Sequence, residues 1–216
     1  MRVLITGATG TAGSEALNVA LQDPEITHVT VLTRRSTGAV NMKLIEVLVK
    51  DFTDYSGLAP HLAHQDIFLW DLGISQNAVK KDEYVRITHD YTMAAAAAYF
   101  LANPNGRFCF LSGQGADQKE KSLTLFGRVK GRVERELTAK YGDRVYSFRP
   151  GYIRPLKTKS FGDRLMKPIA MAVNSVTPKL SVTTRELALC MLGAGKRGAP
   201  IHLFENQDIK SFQTVL

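Results

Sequence analysis

The stretch Thr6-Gly7-Ala8-Thr9-Gly10-Thr11-Ala12-Gly13, directly after the apolar run Val3-Leu4-Ile5, restricts the fold more tightly than anything else in the chain. Glycines spaced Gly7-x-x-Gly10-x-x-Gly13 between a short buried strand and a helical stretch mark a point where strand turns sharply into helix. The first glycine permits the tight turn, the second lets backbone approach a ligand, and the third lets the helix lie close against the strand. A helix starting there presents unpaired N–H groups and a partial positive charge. The segment therefore predicts a strand–turn–helix unit whose residues Gly7, Thr9, Gly10, Thr11, Ala12 and Gly13 cradle a diphosphate.

The rest of the chain repeats the alternation. Strand-like runs fall at Val3–Ile5, His28–Leu32, Leu44–Val49, Ile67–Trp70, Arg107–Leu111, Val145–Phe148 and Ile201–Phe204. Helical stretches fall at 12–22, 54–62, 81–102, 119–141, 183–193 and 207–215, and Thr183-x-x-Glu186 is a capping-box signature for the fifth. Short β-branched runs separated by helices argue for an α/β, doubly wound parallel sheet (Rossmann fold) with the first strand central. No linker or internal repeat divides residues 1–216, which read as one domain. The irregular stretch 151–180 is expected to form a small C-terminal substrate-facing lobe. Small side chains at Ala94–Ala98 let the long helix approach the sheet.

A diphosphate in such a crevice implies a dinucleotide, and the second strand shows which one. Sites selective for NAD(H) carry an acid near the end of that strand; here it runs Val29-Thr30-Val31-Leu32-Thr33-Arg34-Arg35, without one. Two guanidiniums suit a 2′-phosphate, so NADP(H) is preferred over NAD(H). Asp51 is placed to accept from an adenine amino group, with Phe52 alongside, or else to begin a turn. Leu72 and Gly73, after the fourth strand, are expected to line the adenosine side.

Taken together, these segments resemble the atypical short-chain dehydrogenase/reductase group, in particular its Tat-interacting-protein-like and NmrA-like NAD(P)-binding members. The likeness rests on the glycine motif, Arg34-Arg35, Asp90-Tyr91, Leu111-Ser112-Gly113-Gln114-Gly115-Ala116-Asp117, Val129-Lys130-Gly131 and Phe148-Arg149-Pro150-Gly151. The resemblance implies a catalytic Ser, a Tyr proton donor, and a Lys four residues after the Tyr that holds the nicotinamide ribose. By position these are Ser112, Phe126 and Lys130: the tyrosine is absent. Phenylalanine keeps the ring but has no proton to give. Lys130 reads otherwise as an i,i+4 partner of Glu134. Pro150, Gly151 and Tyr152 are implied to pass the nicotinamide carboxamide. Tyr152 and His89 are the substitutes for the missing donor that the sequence offers, neither with the usual spacing.

Two functional classes follow. One is an NADPH-dependent oxidoreductase whose chemistry dispenses with the tyrosine; the other is a catalytically inactive NADP(H)-binding sensor or regulatory protein. A nucleotide-sugar epimerase or dehydratase is a third. Beyond the cofactor, the expected partners are a small-molecule substrate of unknown identity and a protein partner or second copy. The net charge of +8 is scattered rather than blocked, which argues against a nucleic-acid partner. No run of about 18 apolar residues exists to span a membrane. Cys109 and Cys190 make no disulfide framework, so a reduced, cytoplasmic protein is expected. His61-x-x-His64 has no third ligand nearby, and no metal site is expected. Basic Arg154, Lys157, Lys159, Arg164 and Lys167 and apolar Phe161, Leu165, Met166, Ile169 and Met171 belong either to the lobe's ligand face or to its solvated surface.

Overall fold

Most of the apolar runs become strands of one sheet in a computed structural model of the chain, which describes residues 1–155 and 181–212. These are β1 (Arg2–Thr6), β2 (His28–Thr33), β3 (Leu44–Leu48), β4 (Ile67–Trp70), β5 (Arg107–Leu111), β6 (Val145–Arg149) and, last in the chain, β9 (Leu203–Glu205). All pair in parallel, in the order β3-β2-β1-β4-β5-β6-β9. A second, two-stranded parallel sheet joins β7 (Tyr152–Arg154) to β8 (Ser181–Thr183); the sequence reading did not foresee it. Residues 156–180 of the expected lobe, and the expected helical stretch beyond 212, lie outside the described residues.

Strand alternation divides the core. Val3, Ile5, Val29, Val31, Ile67, Leu69 and Cys109 face α1 (Thr11–Gln22) and α6 (Thr184–Arg197). Leu4, Phe68, Trp70, Phe108 and Phe110 face α4 (Tyr91–Ala102) and α5 (Leu125–Tyr141). Central strands covered on both faces read as unbroken apolar runs, and β4 is buried at every position. Ala95 and Ala96 are buried against the aromatic layer, the close helix approach expected of the alanine tract.

Three helices depart from expectation. The stretch 54–62 reduces to α2 (Ala59–Leu62), because Asp54 accepts the Ser56 N–H in a turn. Stretch 119–141 starts helical structure only at Leu125: Asp117 accepts the N–H groups of Lys119 and Lys121, and Thr124 caps the helix. Stretch 81–102 is α3 (Lys81–Val85), a π-helical turn (Arg86–Asp90) and then α4. A short α7 (Asn206–Ser211) follows β9, and the Thr183–Glu186 capping box on α6 is formed as expected.

Because β1 pairs with β2 on one side and β4 on the other, the strand order reverses direction there. Crossovers leave to opposite faces at such a point, opening a crevice above the strand ends.

Candidate functional site

The crevice has a volume of about 520 Å³ and is lined by Gly7, Thr9, Gly10, Leu32, Thr33, Arg34, Arg35, Phe52, Asp71, Leu72 and Gly73. Gly7 adopts φ +68°, and a Cβ there would come within 2.4 Å of the Asp71 carbonyl oxygen. At Gly13 a Cβ would stand 2.3 Å from the Gly7 carbonyl oxygen. Both glycines are thus required, one by conformation and one by the contact of α1 with the turn. No side chain caps α1 and no acid occupies its first turn. The N–H groups of Thr11, Ala12 and Gly13 precede the first intrahelical bond, from Ser14 N to the Gly10 carbonyl at 3.1 Å. An uncapped helix start of this kind carries a partial positive charge, and Gly10, at its N-cap, lines the crevice.

At the β2 end, the Thr33 hydroxyl donates to the Arg35 carbonyl at 2.7 Å and fixes the turn that carries the two arginines. Both side chains are exposed. Among the described residues no ion pair engages either guanidinium. Glu46, on the neighbouring strand β3, accepts from the Ser36 hydroxyl at 2.7 Å and the Thr37 N–H at 2.8 Å. Those hydroxyls hold its carboxyl below the usual range, and it anchors the loop after the arginines.

Phe52 lines the crevice while its ring packs edge-on against Trp70, 6.2 Å between centroids. Asp51 takes the turn alternative. Its Oδ1 accepts from Thr53 N at 2.9 Å and Thr53 Oγ1 at 2.8 Å, and its Oδ2 accepts from Arg86 at 3.3 Å. The adenine role expected of it has no support in this arrangement.

The positions that the resemblance implies to be catalytic sit beyond β5. Ser112 is 6% exposed, and its hydroxyl donates to Glu134 Oε1 at 2.5 Å. Glu134, wholly buried, also accepts from Gln118 at 3.2 Å and from Arg149 Nε and Nη2 at 2.9 and 2.5 Å. In this arrangement the Ser112 proton is directed to Glu134, within an internal network. Lys130 Nζ donates to the Leu111 carbonyl at 2.6 Å and lies 4.5 Å from the centroid of the Phe110 ring. Burial pushes its ammonium down to about 8, against the pull of Glu134 and Asp71. Arg149, not Lys130, pairs with Glu134.

The Phe126 ring lies over Gly113, where an added Cβ would meet Cζ at 2.5 Å. Its N–H donates to Gln76 Oε1 at 2.8 Å, which ties the loop after β4 to the start of α5. The Pro150 carbonyl accepts from Gln114 N at 2.9 Å and Gly151 N donates to Asn206 Oδ1 at 2.8 Å. Tyr152, on β7, is 48% exposed. His89 sits in the π-helical turn between Asp90 Oδ1 at 2.8 Å and Glu136 Oε2 at 3.0 Å. Among the described residues no group of His, Cys, Asp and Glu side chains is arranged to hold a metal.

Leu32, Thr33 and Asp71 line the crevice without having been expected there as site residues, and Asp71 is the one of the three that ionises. Asp71, immediately after β4, has both carboxyl oxygens buried with no hydrogen-bond partner, and burial lifts it to about 7 against the pull of Lys130. The only signal was an acid placed directly after an apolar strand, which reads equally as the start of a turn.

Fold and crevice together define a dinucleotide-binding domain of the Rossmann type. The comparisons narrow this. The rat (Rattus norvegicus) protein HTATIP2 is 32% identical over 157 residues, covering 70% of this chain and 62% of the rat protein, so less than two thirds of that relative is matched. The mitochondrial protein FMP52 of Candida albicans is 29% identical over 183 residues, covering 82% of this chain and 77% of the relative. A short chain dehydrogenase from Burkholderia cenocepacia, solved in complex with NADP, shares the fold with a TM-score of 0.68 at 17% identity, covering 99% of this chain and 92% of that one. No family model matches the chain. The chain is an atypical short-chain dehydrogenase/reductase-like protein.

Proposed function

We propose that this oxidoreductase-like protein binds NADP(H) in preference to NAD(H). The observation that carries the reading is the pair of exposed arginines at the β2 end, free of carboxylate partners among the described residues, beside an uncapped helix start. Backbone N–H groups of the Gly7–Gly13 turn hold the diphosphate, Arg34 and Arg35 grip the 2′-phosphate with charge-assisted bonds, and Phe52, Leu72 and Gly73 wall the adenosine side. Lys130 is the group that reaches toward the nicotinamide ribose. When bound, the cofactor supplies or accepts hydride. The chain's own part is to bind, orient and exclude water. The solved neighbour with NADP bound supports the choice of ligand by fold analogy alone. The test compares affinities by calorimetry: Arg34→Ala and Arg35→Ala are expected to weaken NADPH at least about tenfold and to leave NADH nearly unchanged. Equal losses for both nucleotides would remove the basis of the preference.

A second reading, a sensor without turnover, is favoured by Phe126 together with the commitment of Ser112 to Glu134. Neither side chain offers a proton to a substrate oxygen. Oxidation of NADPH against quinones, flavins and aldehydes separates the two: turnover by the wild type excludes the pure sensor. Cys109 and Cys190 are free, buried thiols, which suits a reducing compartment. Cytoplasmic residence is proposed on that ground; the name of the FMP52 relatives carries the word mitochondrial, and cell fractionation decides between the two.

A further inference from the structure

We infer that Asp71 takes up a proton when the dinucleotide binds in the crevice that this residue lines. The inference rests on the reading of the crevice as a dinucleotide site and deepens it. Its ground is placement. Asp71 lines the crevice directly beneath the phosphate turn, so close that its own carbonyl would touch a Cβ at Gly7. Both carboxyl oxygens are buried, and no donor among the described residues satisfies either of them. An ionised carboxylate in that position has lost its water and gained no hydrogen bond in exchange. A diphosphate arriving above it adds negative charge at short range, which penalises the ionised form further.

The surroundings make the position responsive. Lys130 acts on Asp71 from α5 and favours its charge, while Glu134, further along that helix, draws on Lys130 in turn. Cys109 faces it from β5 as a neutral buried thiol. Arg34 and Arg35 stand across the crevice at the β2 end, where a 2′-phosphate would occupy them. On β1, which pairs with β4, the Thr6 hydroxyl is likewise buried with no hydrogen-bond partner among the described residues. Burial already holds Asp71 near neutrality, at about 7, so the approach of an anion acts on a group that is poised between its two forms.

The experiment is calorimetric titration of the full-length protein with NADPH and with NADH between about pH 6 and pH 9. It is repeated at about pH 8 in buffers of different ionisation enthalpy, so that bound protons are counted directly. NADH is included because the 2′-phosphate of NADPH titrates near pH 6 on its own account. The wild type is expected to lose affinity by up to about tenfold per pH unit above neutrality, with uptake approaching one proton per nucleotide at about pH 8. Asp71→Asn is expected to bind with a flat pH profile and no uptake, and more tightly than the wild type at about pH 8.5. A flat wild-type profile with zero uptake overturns the inference and leaves the cofactor reading standing; so does a slope retained by Asp71→Asn. The wild-type proton count decides the matter even if the variant folds poorly. Absence of heat with either nucleotide at every pH overturns both.

Discussion

Glu134 and Asp71 are both buried carboxylates, and the fold treats them in opposite ways. Glu134 accepts four hydrogen bonds, two of them from one guanidinium, at the junction of β5, β6 and α5. Its replacement by Gln would leave Arg149 with a reduced partner in a site shielded from water. Glu134→Gln is expected to destabilise the protein by about 3 kcal/mol or more in urea titrations, and a loss under about 1 kcal/mol would mean the network contributes little. Asp71 has no such compensation, and its sign is reversed. Its folded value lies near 7, above the ordinary carboxylate value, so the native state holds the proton more tightly than the unfolded chain. The stability that comes from this proton is full below about pH 4 and is lost as pH rises through about 7. Asp71→Asn is therefore expected to match the wild type near pH 4 and to exceed it at about pH 8 by roughly 2–4 kcal/mol. Parallel stability profiles for the two proteins would contradict the buried, unpartnered state of this side chain.

Among the elements, those defined by long-range burial were legible and those defined by local hydrogen bonds were not. Ile67–Trp70 and Arg107–Leu111 are strands over the residues expected of them, because an unbroken apolar run bounded by polar residues has few alternatives in an α/β chain. The Thr183 box was equally plain: a hydroxyl and an acid at the right spacing close on each other wherever a helix begins. Thr183→Ala is expected to cost about 1 kcal/mol, read as a fall of a few degrees in Tm, and no change would show that β8 alone sets the start of α6. The π-helical turn at Arg86–Asp90 was invisible, since one extra residue per turn barely disturbs helical periodicity. It is nevertheless the turn that directs His89 at Glu136 on α5. Within the site, Gly7, Gly13 and Arg34 could be read from motif and spacing. The Ser112–Glu134 bond joins residues 22 positions apart, and Asp71 needed the Gly7 contact to be recognised; only the folded chain brings either together.

At the scale of the whole molecule, one seven-stranded sheet places its order reversal between β1 and β4, and the glycine turn, the arginine pair and Asp71 converge there from three different strands. The net charge of +8 favours an anionic ligand in general, so nucleotide affinity is expected to fall with added salt; the exposed arginines make NADPH more salt-sensitive than NADH. Titrations at low and high salt check this, and identical slopes for the two nucleotides would detach Arg34 and Arg35 from the 2′-phosphate. The central claim is that the turn between β1 and α1 is the seat of a dinucleotide. Calorimetry of the wild type beside Gly13→Val, each first shown to be folded by circular dichroism, tests it most directly. A valine side chain in the space between α1 and the Gly7 carbonyl displaces the phosphate turn. The account predicts saturable NADPH binding by the wild type and a loss of at least about tenfold in the variant; undiminished binding by a folded Gly13→Val protein, or no binding by the wild type, would contradict it.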